Sequence, residues 1–441
     1  MQATNLNPDL NFGSARSART TLLFSVPFVT LSTIRNHRLK REEIVREQEK
    51  KLKLIVKHSY DNVWYYHQLF KRANILPGDI KTIEDISKIP VSRKIDVRDL
   101  PVEKICAMNM NARDCQTYPT SGTSGVPMVN LWENKAKLMQ FIKYYLVEVD
   151  CGVRVSDRQV AIGADWVTTH PLQRFGVFNV RRIKPTESLP MQLRKIRDFD
   201  PRVMVSYPSC ANILAKQIQE EGVKDVNIRY LMTGGENLDR FNRRFIEEVY
   251  QAQIIDAYGA NEVGGVSMEC SQHSGYHIWG DCVIVEILRD DEPVSCGEDG
   301  EITVTNLTNF LTPFFRYNIQ DLGRILDDDC SCNNHYPLME ILQGRSSDVI
   351  HLRGGGVVSA LGFYGILNEI KGIKQWQMIQ ESLDMFRVKI VKEKESPPNL
   401  TEVVESKLSQ ALEGVEIIVE LVDEIPKQRT GKHTPFLTKI R

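Results

Sequence analysis

The chain has 441 residues, 42% apolar and 26% charged, with 56 Lys and Arg against 57 Asp and Glu. That length suits a large domain plus a smaller one, each with its own core. The near-zero net charge excludes a global field drawing the chain to nucleic acid, so any anion site has to be local. Nine cysteines, an odd number scattered along a long chain, argue against a disulfide framework and for a reducing, cytoplasmic setting.

The first element in chain order is the apolar run Thr20–Ile34, TTLLFSVPFVTLSTI, which follows Arg16 and Arg19. It contains Pro27, is too short to span a bilayer and lacks a small-residue cleavage pattern. It therefore reads as a buried or peripheral hydrophobic element rather than a membrane anchor or a cleaved signal. Residues 38–71 read as one helix, and Thr82–Ile89 as a short capped turn. From Cys115 to Trp279, short apolar runs (Val160–Gly163, Val203–Ser206, Tyr230–Met232, Ile254–Ala257) alternate with amphipathic stretches such as Leu189–Phe199 and Asp239–Tyr250. That alternation predicts an α/β sheet with helices on its faces. Beyond Trp279, CVIVEIL and EITVTNL flank the turn-rich DDEPVSCGEDG, which predicts a β subdomain. From Gly344 a small α+β unit is expected, with helices near Phe363–Ile370 and Leu400–Leu412 and strands near Phe386–Lys392 and Glu416–Val422. The fold class is α/β: a large N-terminal domain over residues 1–343 and a small C-terminal domain over 344–441.

The motifs follow the same order. YPTSGTSGVP interleaves the hydroxyls of Thr120, Ser121, Thr123 and Ser124 with Gly122 and Gly125. Glycines let backbone N–H groups converge on an anion, and hydroxyls add donors to phosphate oxygens. The Gly-Lys-Ser/Thr of the Walker loop is missing. In MTGGENL, Gly234 and Gly235 end an apolar strand, where a ligand can come close to the backbone, with Glu236 next to them. AYGANEVGG carries Ala257, Tyr258, Gly259, Asn261 and Glu262. TPFFRYNIQDLGR carries Asp321, whose two acceptor oxygens suit a vicinal diol. GRSSD carries Arg345 and Ser347, and RTGK places Lys432 behind Gly431 near the C-terminus.

In this order the motifs resemble those of the acyl-CoA synthetase, adenylation-domain and luciferase superfamily of adenylate-forming enzymes, most of all its phenylacetate-CoA ligase and capsular-polysaccharide-associated branch. The resemblance runs from about residue 38 to the end. It implies the adenylate-forming ligase fold, with a mobile C-terminal lid. It also implies that ATP and magnesium convert a carboxylic acid into an acyl-adenylate. Thr120–Gly125 would hold phosphates, and Gly234, Gly235, Glu236, Ala257, Tyr258, Gly259 and Asn261 the adenylate. Glu262 would bind Mg2+, a hard cation that prefers oxygen. Asp321 and Arg345 would hold the ribose. Asn261 stands where the family has threonine, and Gln320 where it has glycine. Ser347 occupies the hinge position usually held by Asp or Lys. Lys432 would bridge the attacking carboxylate and the α-phosphate, offsetting repulsion between two anions. Glu262 and Lys432 are thus the catalytic candidates.

Cys270 and His277 in MECSQHSGYHIWGD, with Cys330 and Cys332 in DDDCSCNNH, supply the ligand types of a tetrahedral structural zinc site. His273 and His335 are alternatives to His277. The acyl pocket is assigned to Trp166, Tyr207, Tyr258 and Gly259. Gly354, Gly355 and Gly356 leave room for a pantetheine arm, which favours coenzyme A as acceptor. An amine or carrier protein as acceptor, and a non-catalytic family member, are the alternatives. No motif selects the acid, and a homodimer stays open.

Overall fold

The structure, a computed structural model, describes residues 27–110, 115–119, 129–163, 176, 179–345, 349–351, 353, 357–359, 361–412, 414–426 and 435–440. These form two compact units, one from the described residues of 1–151, 258–319 and 323–340, the other from those of 152–257, 320–322 and 341–441.

In the first unit, residues 27–36 are helical, and α1 (Arg41–Asn62) and α2 (Trp64–Arg72) follow. The expected single helix is two. Val63 leaves helical geometry at φ −115° and ψ 111° and bridges Ala107. A β-branched residue tolerates that extended backbone well. Inward residues of α1, Ile44, Leu52, Ile55 and Val56, recur at helical spacing. Leu52, Ile55 and Val56 join Tyr66, Phe70, Ile284, Leu307 and Phe315 in one apolar core. The expected turn at 82–89 contains a short 3₁₀ segment, Glu84–Lys88, where Asp85 accepts from the amides of Lys81 (2.8 Å) and Thr82 (2.9 Å).

β1 (Cys115–Pro119) and β2 (Val129–Glu133) pair antiparallel, with Pro119 opposite Val129. α3 (Asn134–Asp150) continues from β2. Further along the chain the unit holds β8 (Gly264–Glu269), β9 (Tyr276–Ile278), β10 (Val283–Arg289), β11 (Glu292–Pro293) and β12 (Gly300–Asn306). β10 and β12 fall on the two expected strand-like runs and pair antiparallel, Val283 opposite Asn306. β13 (Tyr317–Leu326) and β14 (Leu338–Arg345) continue the sheet, and Leu338 of β14 sits opposite His277 of β9.

In the second unit, β3 (Gln159–Ile162), β4 (Val180–Ile183), β5 (Val203–Ser206), β6 (Tyr230–Gly234) and β7 (Gln253–Ala260) are parallel neighbours in the order β4-β3-β5-β6-β7. α4 (Leu189–Phe199), α5 (Pro208–Glu221) and α6 (Arg240–Tyr250) connect them. Buried residues of these helices, among them Ile196, Leu214 and Ile246, pack with Val160, Met204 and Ile254 of the strands. The α6 N-terminus is capped by Asp239, which accepts from the amides of Phe241 and Asn242 (both 2.9 Å).

The C-terminal portion of this unit carries the β15–β16 pair (Val349–His351, Val357–Ser359), α7 (Leu361–Asn368), β17 (Ile373–Ser382), β18 (Met385–Lys392), α8 (Leu400–Ala411), β19 (Glu416–Leu421) and β20 (Phe436–Thr438). The last four strands form one sheet in the order β19-β18-β17-β20. β17 has no counterpart among the sequence expectations, because IKQWQMIQES looks too polar for an inner strand. Gln380 explains it: its side chain donates to the His351 carbonyl (2.8 Å) and accepts from the His351 amide (3.1 Å), so the amide group is satisfied though fully buried.

Candidate nucleotide site and metal cluster

The turn from Tyr258 to Gly264 is built on glycine. A Cβ on Gly259 would lie 2.3 Å from the Gly264 carbonyl oxygen, and Gly264 itself adopts φ +78° with Gln140 and Trp132 against it. Side chains outside the motif fix the turn. The Trp132 indole N–H donates to the Asn261 carbonyl (3.0 Å), and Asn306 Nδ2 donates to the Val263 carbonyl (2.7 Å). Trp132 is fully buried, and the Lys137 ammonium sits 4.3 Å from its ring centroid. Burial pushes the Lys137 pKa down to about 8. Glu262 is buried, and among the described residues nothing hydrogen-bonds its carboxylate. A buried carboxylate with open oxygens fits a divalent cation. Trp132 belongs to β2, one strand of the pair on either side of the glycine-rich segment, so that strand pair is hydrogen-bonded to the turn that carries Glu262. The sequence reading missed Trp132, Gln140 and Asn306, whose roles depend on contacts far along the chain.

Replacing Gly259 with alanine is expected to lower stability by roughly 2–4 kcal/mol, because the added methyl meets backbone that cannot move aside. Urea unfolding monitored by tryptophan fluorescence measures it.

Within the second unit, a Cβ on Gly234 would lie 2.7 Å from the Ala257 carbonyl oxygen, and Gly235 sits at φ +76°. Thr233 donates its hydroxyl to Asp256, and Glu236 accepts from the Ser209 amide at the start of α5 (3.0 Å). Glu236 thus holds the α5 N-terminus with one carboxylate oxygen. Tyr207 is buried in the α/β core, its ring against Gly163. Asp321 is half-buried in β13, directly after Gln320, which takes φ +67°. Gln320 thus holds a left-handed backbone that glycine would adopt without strain. Arg316, in the same motif, is structural. It pairs with Glu286 (3.1 Å) and donates to the carbonyls of Ser87 (3.1 Å) and Ile89 (2.9 Å).

Thr120, Ser121, Gly122, Thr123, Ser124, Gly125, Trp166, Ser347, Gly354, Gly355, Gly356 and Lys432 lie outside the described residues, as does the side chain of Arg345.

The cysteine and histidine motifs do converge. One ligand atom from each of Cys270, His277, Cys330 and Cys332 lies within 4.8 Å of the others. Cys270 Sγ is 3.6 Å from Cys330 Sγ, and Cys332 Sγ is 3.3 Å from His277 Nε2. The cysteines are free thiols. The His277 Nδ1–H faces the Tyr336 carbonyl (3.3 Å), which turns Nε2 toward the thiols. Burial lowers the His277 pKa, keeping the imidazole neutral as a ligand must be. His273 instead faces Glu269 (3.4 Å), so of the alternatives the geometry selects His277.

Beside the cluster lies a buried ion network. Lys143 Nζ is 2.6 Å from Asp281 Oδ1, and the Tyr336 hydroxyl donates to the same oxygen (2.6 Å). Burial would raise the Asp281 pKa, but the Lys143 and Lys51 ammonium groups hold it at about 2. That value is below the ordinary carboxylate range, so the stabilisation is full above that range and is lost as the pH falls through about 2. Lys143→Met is expected to cost about 3 kcal/mol at neutral pH, since it removes the closest counter-charge of a buried carboxylate. Chemical denaturation of both proteins reads this directly.

The model of the AMP-binding enzyme family matches residues 118–311, and that of the CapK C-terminal domain matches 351–437. The chain is 27% identical over 350 residues to the phenylacetate-coenzyme A ligase of Thermus thermophilus, covering 72% of this chain and 74% of that one. Against the Escherichia coli phenylacetate-coenzyme A ligase the identity is 28% over 349 residues, with the same coverages. Among solved structures, 2-hydroxyisobutyryl-CoA ligase in the postadenylation state with 2-HIB-AMP superposes with a TM-score of 0.75 at 18% identity, over 92% of each chain.

Proposed function

Because this chain belongs to the adenylate-forming superfamily, in its phenylacetate-CoA ligase and CapK branch, we propose that it activates a small carboxylic acid with ATP and passes the acyl group to coenzyme A. In the first step a carboxylate oxygen attacks the α-phosphorus of ATP and pyrophosphate leaves. In the second, the coenzyme A thiolate attacks the acyl carbon and AMP leaves.

The observation that supports this reading best is the Trp132 bond to the Asn261 carbonyl. It ties the strand pair that flanks the glycine-rich segment to the turn bearing Glu262, and both motifs fall inside the AMP-binding match. In this reading Thr120, Ser121, Gly122, Thr123, Ser124 and Gly125 hold the phosphates. Gly234, Gly235, Ala257, Tyr258, Gly259 and Asn261 enclose the adenine. Asp321 and Arg345 take the ribose hydroxyls. Glu262 holds Mg2+, which supplies charge neutralisation to the phosphates. The acyl group lies against Trp166, Tyr258 and Gly259, with the buried Tyr207 backing the pocket wall. Residues 344–441 act as a lid that turns at Ser347 and delivers Lys432. The Cys270, His277, Cys330 and Cys332 set carries a structural zinc that clips the β8–β9 hairpin to the β13–β14 connection. The enzyme works in the cytoplasm, where its thiols stay reduced.

Acid-dependent exchange of labelled pyrophosphate into ATP, screened over aromatic and short aliphatic acids, tests the first half-reaction. Exchange with at least one acid is the result expected. No exchange with any acid, from protein that binds ATP, contradicts it.

A further inference from the structure

The helix at residues 27–36 has two unlike faces. Val29, Thr33 and Asn36 are buried, while Phe28 is 70%, Leu31 68% and Ile34 43% exposed. A three-residue spacing puts these large apolar side chains on one side of the helix, and leaving them in water is unfavourable. The helix is anchored. His37 pairs with Asp150 (2.8 Å), and the Tyr336 hydroxyl lies 3.1 Å from the Asn36 carbonyl. The apolar face is thus presented from a fixed position.

The surrounding sequence adds a charge asymmetry. Between Asp9 and Glu42 there is no acidic residue, while Arg16, Arg19, Arg35, Arg38, Lys40 and Arg41 bracket the apolar run. Arg35 and Arg38 face Glu47 (3.5 Å) and Asp150 (2.8 Å), yet their side chains stay 64% and 69% exposed.

We propose that this face docks on the surface of an anionic lipid bilayer, with Phe28, Leu31 and Ile34 entering the headgroup boundary and the flanking cations meeting lipid phosphates. An apolar stripe alone would suit many occupants. A stripe bracketed in sequence only by cations, two of them largely exposed, matches a surface that is apolar beneath and anionic at its face. The contact is peripheral: among the described residues no helix is long and apolar enough to cross a membrane. The sequence favours a buried or peripheral element here, and the exposure of these three side chains is the new observation.

The test is co-sedimentation of the full chain with vesicles of phosphatidylcholine and with vesicles of equal parts phosphatidylcholine and phosphatidylglycerol. Binding about tenfold stronger to the anionic vesicles, and weakened by salt, is expected. Leu31→Ser alone should weaken it several-fold, and Phe28→Ser with Leu31→Ser and Ile34→Ser at least about tenfold. The single variant alters one exposed position, so its fold is secure even where the triple variant is unstable. Equal binding to both vesicle types, or wild-type binding by Leu31→Ser, overturns the proposal. So does a dimer, seen by light scattering, that Leu31→Ser dissociates, since the face would then join two copies. Vesicle binding needs no turnover, so either outcome leaves the ligase reading untouched.

Discussion

Lys432→Ala is expected to cut acid-dependent pyrophosphate exchange by about a thousandfold while ATP binding changes little. The attacking carboxylate and the α-phosphate are both anions, and they must approach while negative charge shifts to the leaving pyrophosphate. In a partly dry site, unit charges repel by several kcal/mol at contact distance. An ammonium placed between them is worth roughly 3–4 kcal/mol in the transition state and little to ATP alone. The chain is tethered just beyond this residue, because Phe436 of β20 pairs with Met378 of β17. A lysine on a short segment anchored to a sheet can be aimed, which a free tail cannot. ATP–pyrophosphate exchange and nucleotide titration by calorimetry separate the two effects. Equal losses of binding and exchange would make Lys432 a ground-state contact.

Removing two of the proposed zinc ligands together, Cys330→Ser with Cys332→Ser, is expected to abolish metal binding and lower the thermal midpoint by roughly 10 °C. The two residues sit on the connection from β13 to β14, while Cys270 follows β8 and His277 lies in β9, so a shared ion would cross-link segments distant in sequence. Without the ion, several buried donors and acceptors lose their common partner. Native mass spectrometry should give one zinc per wild-type chain and none in the variant. A wild-type chain without metal, or a variant that keeps it, would refute the cluster's assignment. Catalysis by the unaltered adenylation motifs should fall only in proportion to the folded fraction.

Much of the α/β portion is legible in the sequence because its signals are local. The apolar runs at Val203–Ser206 and Ile254–Ala257 lie in buried parallel strands, and the helix over Leu189–Phe199 has the expected bounds. Where local signals mislead, a distant partner decides. Val63 breaks a helix because Ala107 takes it as a bridge, and Gln380 enters a sheet core because the His351 backbone satisfies it. The site divides in the same way. Motif residues such as Glu262 and Gly259 are visible from residue type and order. Trp132, Asn306 and Tyr336, which hold them or the cluster in place, lie outside every motif, and only folding brings them there. Arg316 shows the converse: it sits in a recognisable motif, yet it is spent on Glu286 and two carbonyls.

The most direct test of the ligase reading is product analysis of a single turnover. The enzyme is mixed with ATP, magnesium and an accepted acid, first without coenzyme A and then with it. Acyl-adenylate and pyrophosphate in the first mixture, then AMP and an acyl thioester in the second, are the products expected. ADP with an acyl phosphate in the first mixture, or ADP, phosphate and the thioester in the second, would mean attack at the γ-phosphorus, and adenylation as the central chemistry would be contradicted.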